Sequence, residues 1–200
     1  GDTDFDDARR VALDLLHPLL GELGLAGYPK TSGSRGIHVY LPIEPQWDFI
    51  ATRRAVIALT RELERRAPEQ VTSSWWKEER GDRIFVDYNQ ATRDRTLAAA
   101  WSPRILPGAP VSVPTTWEQL GEQAPDAVTV HTAPQWLAEH GDAWEGLHEE
   151  PGSIDGAHAL WEADLERGLG ELSFPPDHPK MPGEPPRVQP SKKVVEHWDE

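Results

Sequence analysis

The segment that most constrains the fold is a short Gly/Ser-rich loop, residues 31–36, that runs directly into an apolar, β-rich stretch at 37–43. Glycines let a backbone approach a ligand closely, and hydroxyls with successive N–H groups can donate to phosphate oxygens. Arg35 and His38 add a permanent and a titratable cation. The segment is not a Walker A loop, because no Gly-Lys-Ser/Thr closes it and a strand follows. It indicates either a phosphate site or a plain glycine-rich turn.

Hydrophobic periodicity predicts the helices and strands of the remaining chain. Apolar residues at helical spacing predict long helices at 8–23 and 47–66, and an aspartate between positions 4 and 7 is expected to cap the first. Apolar β-rich runs predict strands at 37–43, 83–88, 96–101 and 111–113, and three further helices are expected near 116–122, 134–140 and 154–167. Strands alternating with helices predict an α/β or α+β fold, with a mixed sheet flanked by helices.

Length and composition bound the organisation of the chain. Two hundred residues suit one domain or most of one, which we place at 1–173. From 174 to 200 the sequence is Pro-rich and irregular, and we expect it to pack on the domain or to tether it. The absence of cysteine excludes disulfides and thiolate metal sites. With no secretory signal and no long apolar run, we expect a cytoplasmic protein without membrane partners.

Charge argues against a generally basic nucleic-acid binder, since the net charge is −14. Arginine and lysine nevertheless concentrate between Lys30 and Arg104, so a local positive groove remains compatible with the sequence. The long helix at 47–66 has a cationic face, which we interpret as solvated: Arg53, Arg54, Arg61, Arg65 and Arg66. Two adjacent indoles, Trp75 and Trp76, favour burial over stacking on bases.

Asp87 ends an otherwise apolar strand. A carboxylate there is costly unless it binds a cation or accepts hydrogen bonds. Its functional interpretation is a ligand for Mg²⁺ or Mn²⁺, because phosphoryl-transfer sites combine carboxylates with substrate phosphates. The alternative is an ion pair with Arg93 or Arg95. Several guanidinium groups surround Asp87 in sequence and suit bidentate phosphate binding, although each alone is compatible with a solvated surface: Arg80, Arg83, Arg93, Arg95 and Arg104.

Read in order, six stretches resemble the polymerase domain of bacterial ligase D, in the archaeo-eukaryotic primase superfamily. The resemblance covers nearly the whole chain and is greatest for actinobacterial members, within ligase D or as stand-alone repair polymerases. The stretches are Tyr28-Pro29-Lys30-Thr31-Ser32-Gly33 with Gly36-Ile37-His38-Val39, then residues 75–81, 83–90, 93–96, 107–112 and 180–190. The resemblance implies a primase-polymerase-like fold.

The resemblance also implies roles for individual residues. Asp87 falls on the family's third catalytic acid, and therefore on a metal ligand. Ser32 and His38 fall on the motif that holds the incoming nucleoside triphosphate, with Arg35 where family members often have lysine. The remaining implied nucleotide-site residues are Arg80, Gln90 and Arg104. The implied mechanism is two-metal nucleotidyl transfer with Mn²⁺ or Mg²⁺.

One departure from the family pattern concerns the first two metal-binding aspartates, an Asp-x-Asp that follows a strand. Asp2-Thr3-Asp4 and Asp4-Phe5-Asp6 match its spelling, but no apolar strand precedes them. We assign them to a loop and a helix cap. The chain is therefore expected to correspond to the C-terminal portion of a polymerase domain, to lack the N-terminal part, and to find its other metal ligands before Gly1 in a longer parent.

The resemblance implies a DNA-dependent nucleotidyltransferase that adds nucleotides, preferably ribonucleotides, to primer 3′ ends during non-homologous end joining. Its implied partners are a nucleoside triphosphate and DNA with a primer-template, gap or double-strand-break end. The ligase and Ku end-joining proteins are further candidate partners in the bacterial cytosol and nucleoid. The alternative is a non-catalytic nucleotide- or DNA-binding or scaffolding module, because the Asp-x-Asp motif is missing.

Overall fold

The computed structural model describes residues 3–91 and 97–172. In these ranges the strands are short and the helices vary from one turn to five. The helices are α1 Phe5–Arg10, α2 His17–Glu22, α3 Phe49–Arg66, α4 Lys77–Arg80, α5 Trp117–Glu122, α6 Ala133–His140 and α7 Asp155–Glu166. The strands are β1 Tyr28–Thr31, β2 Ile37–Tyr40, β3 Val71–Thr72 and β4 Ile84–Phe85. The Pro-rich stretch at 174–200 lies outside the described residues.

The first predicted helix is interrupted by a π-helical segment, Val11–Leu16, between α1 and α2. Asp4 caps α1 in a capping box with Asp7, so the expected acidic cap is present. The interruption precedes Pro18, which has no N–H and whose ring clashes with the carbonyl four residues earlier in a regular α-helix. A wider helical turn before a proline accommodates this clash.

The strands form two separate two-stranded sheets within the described ranges. β1 and β2 are antiparallel, with Lys30 opposite His38, and β3 and β4 are parallel. Both strand directions are therefore present, as expected of a mixed sheet, but in two sheets. The strands predicted at 96–101 and 111–113 are wrong for the residues described there, since 97–101 form no strand and Val111 forms an isolated bridge with Pro103. Prolines lack the N–H that a ladder needs, so pairing does not extend.

The core lies between α3 and the elements packed around it. Asp48 caps α3 by accepting a hydrogen bond from the Ala51 N–H at 2.7 Å, and the helix ends before Pro68. Buried side chains of α2, α3, β3 and α7 meet in one apolar cluster that includes Leu20, Leu63, Val71 and Ala157. No helix in the described ranges is both long and apolar enough to span a bilayer.

The cationic face of α3 departs from its predicted solvated state at one position. Arg53 is only 2% exposed, although the sequence places it on that face. Arg54, Arg61 and Arg66 form ion pairs with acids from other parts of the fold. The solvated interpretation is therefore wrong for Arg53, because the segment around residue 171 covers it and supplies a carboxylate.

Candidate functional site

Ser32 organises the loop that joins β1 to β2. Its Oγ accepts hydrogen bonds from the Ser34 N–H at 3.2 Å and the Gly36 N–H at 3.0 Å. The Ser32 N–H donates to the Gly36 carbonyl at 2.9 Å. Because a serine hydroxyl has two lone pairs and one proton, both acceptor positions serve the loop and the O–H remains as a donor. The loop is thus held in one shape by the residue that the family motif assigns to phosphate.

Gly33 allows a second loop to close onto this one. Its φ is +68°, and a Cβ there would lie 2.7 Å from Arg104 Cγ and 3.0 Å from the backbone carbon of Val111. Only a residue without a side chain accepts both the left-handed backbone and this contact. Gly33 therefore brings Arg104 against the Ser32 loop.

Replacement of Gly33 by alanine is expected to destabilise the fold by more than the left-handed backbone alone, which costs about 1–2 kcal/mol. Gly24→Ala is the matched control, since Gly24 has φ +67° with nothing within 4 Å of its Cβ position. Urea denaturation should show a larger loss of unfolding free energy for Gly33→Ala. Equal losses would mean that Arg104 and Val111 move aside freely.

Lys30, which the sequence shows only as the start of the basic stretch, immediately precedes the loop at 31–36. Its side chain is fully buried, and Nζ donates to the Ser112 Oγ, which in turn donates to the Thr31 carbonyl at 2.7 Å. Burial, together with the positive charge of Arg104, lowers the pKa of Lys30 to about 8. The sequence feature that could have indicated this role is the loop length, because a five-residue loop between the two strands places Lys30 directly opposite His38.

His38 lies on β2 beside this buried charge. Burial lowers its pKa to about 4, and the charges of Lys30 and Arg104 act in the same direction. At pH 7 this titratable side chain is therefore neutral in the fold, and it gains a positive charge only where a nearby anion raises its pKa. Its Nδ1 is buried without a hydrogen-bond partner among the described residues. Buried polar atoms are normally paired, so this nitrogen fits a ligand group better than a closed core.

Arg35 and Arg104 complete the cationic side of the site. Arg35 is exposed at the loop tip, and the Arg104 backbone N–H anchors its own loop by donating to the Pro110 carbonyl at 2.8 Å. In the described part of the chain, none of the ion pairs includes Lys30, Arg35 or Arg104. Three positive charges that have no carboxylate partner in the described ranges are chemically suited to an anionic ligand.

Asp87 follows β4 by two residues. It caps a 3₁₀ turn, Tyr88–Gln90. Its Oδ1 accepts from the Asn89 N–H at 2.9 Å, and its Oδ2 accepts from the Gln90 Nε2 at 2.8 Å. Its negative charge raises the pKa of His38 against the stronger opposing effects. Asp87 and His38 therefore belong to one electrostatic environment, although His38 lies on β2 and Asp87 follows β4 of the other sheet.

Arg80 lies near Asp87 and holds the neighbouring turn by hydrogen bonds. Its guanidinium donates to the Ser74 and Trp75 carbonyls at 3.1 and 2.7 Å and lies 3.8 Å from the centre of the Phe85 ring. Burial lowers the pKa of Arg80, and the charge of Asp87 opposes that shift. Arg80 thus lies near Asp87 while its described hydrogen bonds hold the 74–75 turn. The alternative partners of Asp87, Arg93 and Arg95, lie outside the described residues.

The described residues fit a bound metal only in part. Over 3–91 and 97–172, no three side chains of histidine, aspartate or glutamate come together as a metal-binding group. Asp87 offers one carboxylate, and both of its oxygens already accept hydrogen bonds. Asp87 can therefore offer a carboxylate to a divalent cation, but the described residues do not form a metal centre by themselves.

Comparison with known proteins identifies relatives of this chain. A family model described as the LigD primase-polymerase domain matches residues 1–144. The multifunctional non-homologous end joining DNA repair protein LigD of Mycobacterium tuberculosis H37Rv is 33% identical over 132 residues, which is 64% of this chain and 17% of that protein. LigD of Pseudomonas aeruginosa PAO1 is 35% identical over 129 residues, 64% of this chain and 15% of that protein.

A solved structure confirms the expected fold class. The polymerase domain of Mycobacterium tuberculosis ligase D in complex with DNA superposes with a TM-score of 0.68 and 28% sequence identity. The match covers 75% of this chain and 52% of that chain, so this sequence spans about half of that domain and less than a fifth of the LigD proteins listed above. The resemblance read from the ordered motifs is confirmed, and the chain belongs to the LigD primase-polymerase domain family.

Proposed function

We propose that this chain forms the triphosphate-binding part of a DNA-dependent nucleotidyltransferase that extends primer 3′ ends in end-joining repair. One observation carries the proposal. Lys30, Arg35 and Arg104 lie on or beside the Ser32 loop and have no carboxylate partner among residues 3–91 and 97–172, and the neighbouring His38 has a buried nitrogen without a hydrogen-bond partner there. A polyanion with several acceptor oxygens is the ligand that this arrangement satisfies.

The residues divide into a phosphate side and a cation side. Arg35, Arg104 and the Ser32 O–H would donate to the triphosphate, while Lys30 adds a fixed positive charge behind the loop. Asp87 would contribute one ligand to a divalent cation, Mn²⁺ or Mg²⁺, with the other ligands supplied from outside the described residues. When bound, such cations neutralise the charge that develops during phosphoryl transfer. Gln90 holds one oxygen of Asp87 toward this role, and Arg80 keeps the neighbouring turn in place.

The finer aspects of the proposal rest on the family. The relatives are named as end-joining proteins, and the solved domain was determined with DNA. From this we infer gap filling and end processing, a preference for ribonucleotides, and joint action with a ligase and Ku proteins in the bacterial cytosol and nucleoid.

A second function is favoured by a separate observation. Over the described residues no three acidic or histidine side chains come together as a metal-binding group, so a non-catalytic module that binds nucleotide or DNA is the competing proposal. Primer extension by the full natural protein that carries this chain separates the two. Extension with Mn²⁺ supports the enzyme, and a well-folded protein that binds nucleotide but extends no primer supports the module.

Nucleotide binding tests the phosphate side directly in the 200-residue chain. Arg35→Ala and His38→Ala are each expected to weaken binding of a nucleoside triphosphate by about 10- to 100-fold in calorimetry, because each loses a hydrogen bond to a charged group worth about 1.5–3 kcal/mol. Arg10→Ala, which removes an exposed arginine paired with Asp7 on α1, is the control and should bind as the wild type does. Equal affinity in all four proteins would refute the assignment.

A further inference from the structure

Arg53 is a buried charged side chain with contacts on two sides. On one side its guanidinium pairs with the Glu171 carboxylate at 2.8 Å and donates to the Leu172 carbonyl at 2.9 Å. On the other side it donates to the Asn89 Oδ1 at 3.4 Å, and its Cζ lies 5.4 Å from the centre of the Tyr88 ring. The guanidinium therefore joins α3, the 171–172 segment and the turn that follows Asp87.

Asn89 connects this guanidinium to the candidate metal ligand. The side chain of Asn89 accepts from Arg53, and its backbone N–H donates to the Asp87 Oδ1 at 2.9 Å. Tyr88 and Asn89 are both almost fully buried, at 1% and 2% exposure. One residue thus separates the buried arginine from the Asp87 carboxylate.

The local secondary structure does not hold Asp87 by itself. The residue lies between a two-residue strand, β4, and a three-residue 3₁₀ turn, Tyr88–Gln90. Short 3₁₀ segments have poor hydrogen-bond geometry and confer little rigidity. A carboxylate that must meet a cation needs support from outside such a turn, because a displacement of about 1 Å at a reacting centre can cost about 100-fold in rate.

A buried arginine such as Arg53 is better suited to fixing the geometry of neighbouring groups than to adding to the folding free energy. Burial of a guanidinium is costly, and well-packed apolar residues often stabilise a fold as much as a buried ion pair does. Arginine offers a rigid, planar set of five donors that can reach several acceptors at once, whereas the three donors of lysine sit on one rotating ammonium group. Here those donors reach three acceptors, on Asn89, Glu171 and Leu172. Arg53 therefore fixes the position of the turn at Asn89 relative to the 171–172 segment.

We propose that Arg53 is a positioning residue that holds the Tyr88–Gln90 turn, and with it the Asp87 carboxylate, in the orientation used by the site. The inference rests on the proposed function for what Asp87 does once it is positioned. Arg54 offers a matched comparison, since it donates to the other oxygen of Glu171 at 2.6 Å and lies over the Trp161 ring.

Hydrogen exchange by NMR on the 200-residue chain tests the positioning without any activity. In Arg53→Met, exchange of the Asn89 amide is expected to accelerate about tenfold relative to the amide of Leu59 in α3, since the turn opens locally. In Arg54→Met the ratio should stay at the wild-type value. Arg53→Lys, which keeps the charge, should show a smaller acceleration in the same direction and serves if Arg53→Met does not fold.

The outcomes separate positioning from general stability and from the proposed function. An Asn89-to-Leu59 ratio that is unchanged in both Arg53 variants, or equally raised in the Arg54 variant, would overturn the proposal. In the full natural protein, Arg53→Met should lower kcat for primer extension about tenfold with KM for nucleotide unchanged. A loss confined to KM would contradict positioning of Asp87. A wild type that extends no primer would refute the proposed function, and the exchange ratios would still decide the positioning.

Discussion

Asp87→Asn is expected to reduce primer extension by the full natural protein about 1,000-fold while changing the unfolding free energy by less than about 0.5 kcal/mol. The amide keeps an oxygen that accepts the Asn89 N–H, so the cap of the 3₁₀ turn survives. The lost charge is the one that would hold a divalent cation, and cation stabilisation of the transition state is worth several kcal/mol. About 4 kcal/mol corresponds to about three powers of ten in rate.

Two measurements on the Asp87 variant distinguish catalysis from structure. Single-turnover extension with Mn²⁺ should collapse in Asp87→Asn and persist in Asp82→Asn, which removes an exposed acid five residues earlier. Urea denaturation should give the same unfolding free energy for the wild type and both variants. If Asp87→Asn instead unfolds readily and still extends primers once folded, Asp87 is a structural cap and the candidate site loses its central residue.

Local signals explain why part of the site was predictable from sequence. The glycines and hydroxyls of residues 31–36 specify a tight loop next to a strand, and Ser32 and His38 lie within seven residues of one another. Asp87 was predictable because an acid after an apolar run is costly without a partner. These residues could be predicted because the contacts that position them join residues close together in the sequence.

Long-range contacts explain what the sequence concealed. Ser112 meets Lys30 across 82 residues, and Glu171 meets Arg53 across 118. Neither partner stands out by pattern, because a serine near a turn and a glutamate after a helix are common. The protonation state of His38 could not be read from the sequence for the same reason, since its pKa depends on burial and on cations brought in by folding.

The buried charge of Lys30 links the stability of this fold to ligand binding. Lys30 is completely buried, and in the described chain its ammonium bonds to a neutral hydroxyl. A buried charge of this kind opposes folding and favours an anionic ligand. The same side chain should therefore act in opposite directions on the empty and the occupied site.

Lys30→Met is expected to raise the unfolding free energy of the 200-residue chain at pH 7 by about 1–3 kcal/mol and to weaken triphosphate binding about tenfold or more. The pKa of Lys30 is about 8 in the fold against 10.5 when unfolded, so the unfolded state binds its proton more tightly. The cost of the buried charge, about 3 kcal/mol, is fully present below pH 8 and disappears as pH rises from 8 toward 10.5. The unfolding free energy of the wild type should therefore rise relative to that of the variant between pH 8 and pH 10.5.

Urea denaturation at pH 7 and pH 10, with calorimetry of nucleotide binding at pH 7, measures both effects of Lys30. Lys77→Met, which removes an exposed lysine on α4, is the control and should leave the stability difference between the two pH values and the affinity as they are in the wild type. Loss of one unit charge about 6 Å from a phosphate charge is worth about 3 kcal/mol at an effective dielectric near 20, which is more than tenfold in affinity. A Lys30→Met protein that is less stable than the wild type at pH 7 and binds the triphosphate equally well would mean that Lys30 serves the hydrogen bond to Ser112, and the anion site would then rest on Arg35 and Arg104 alone.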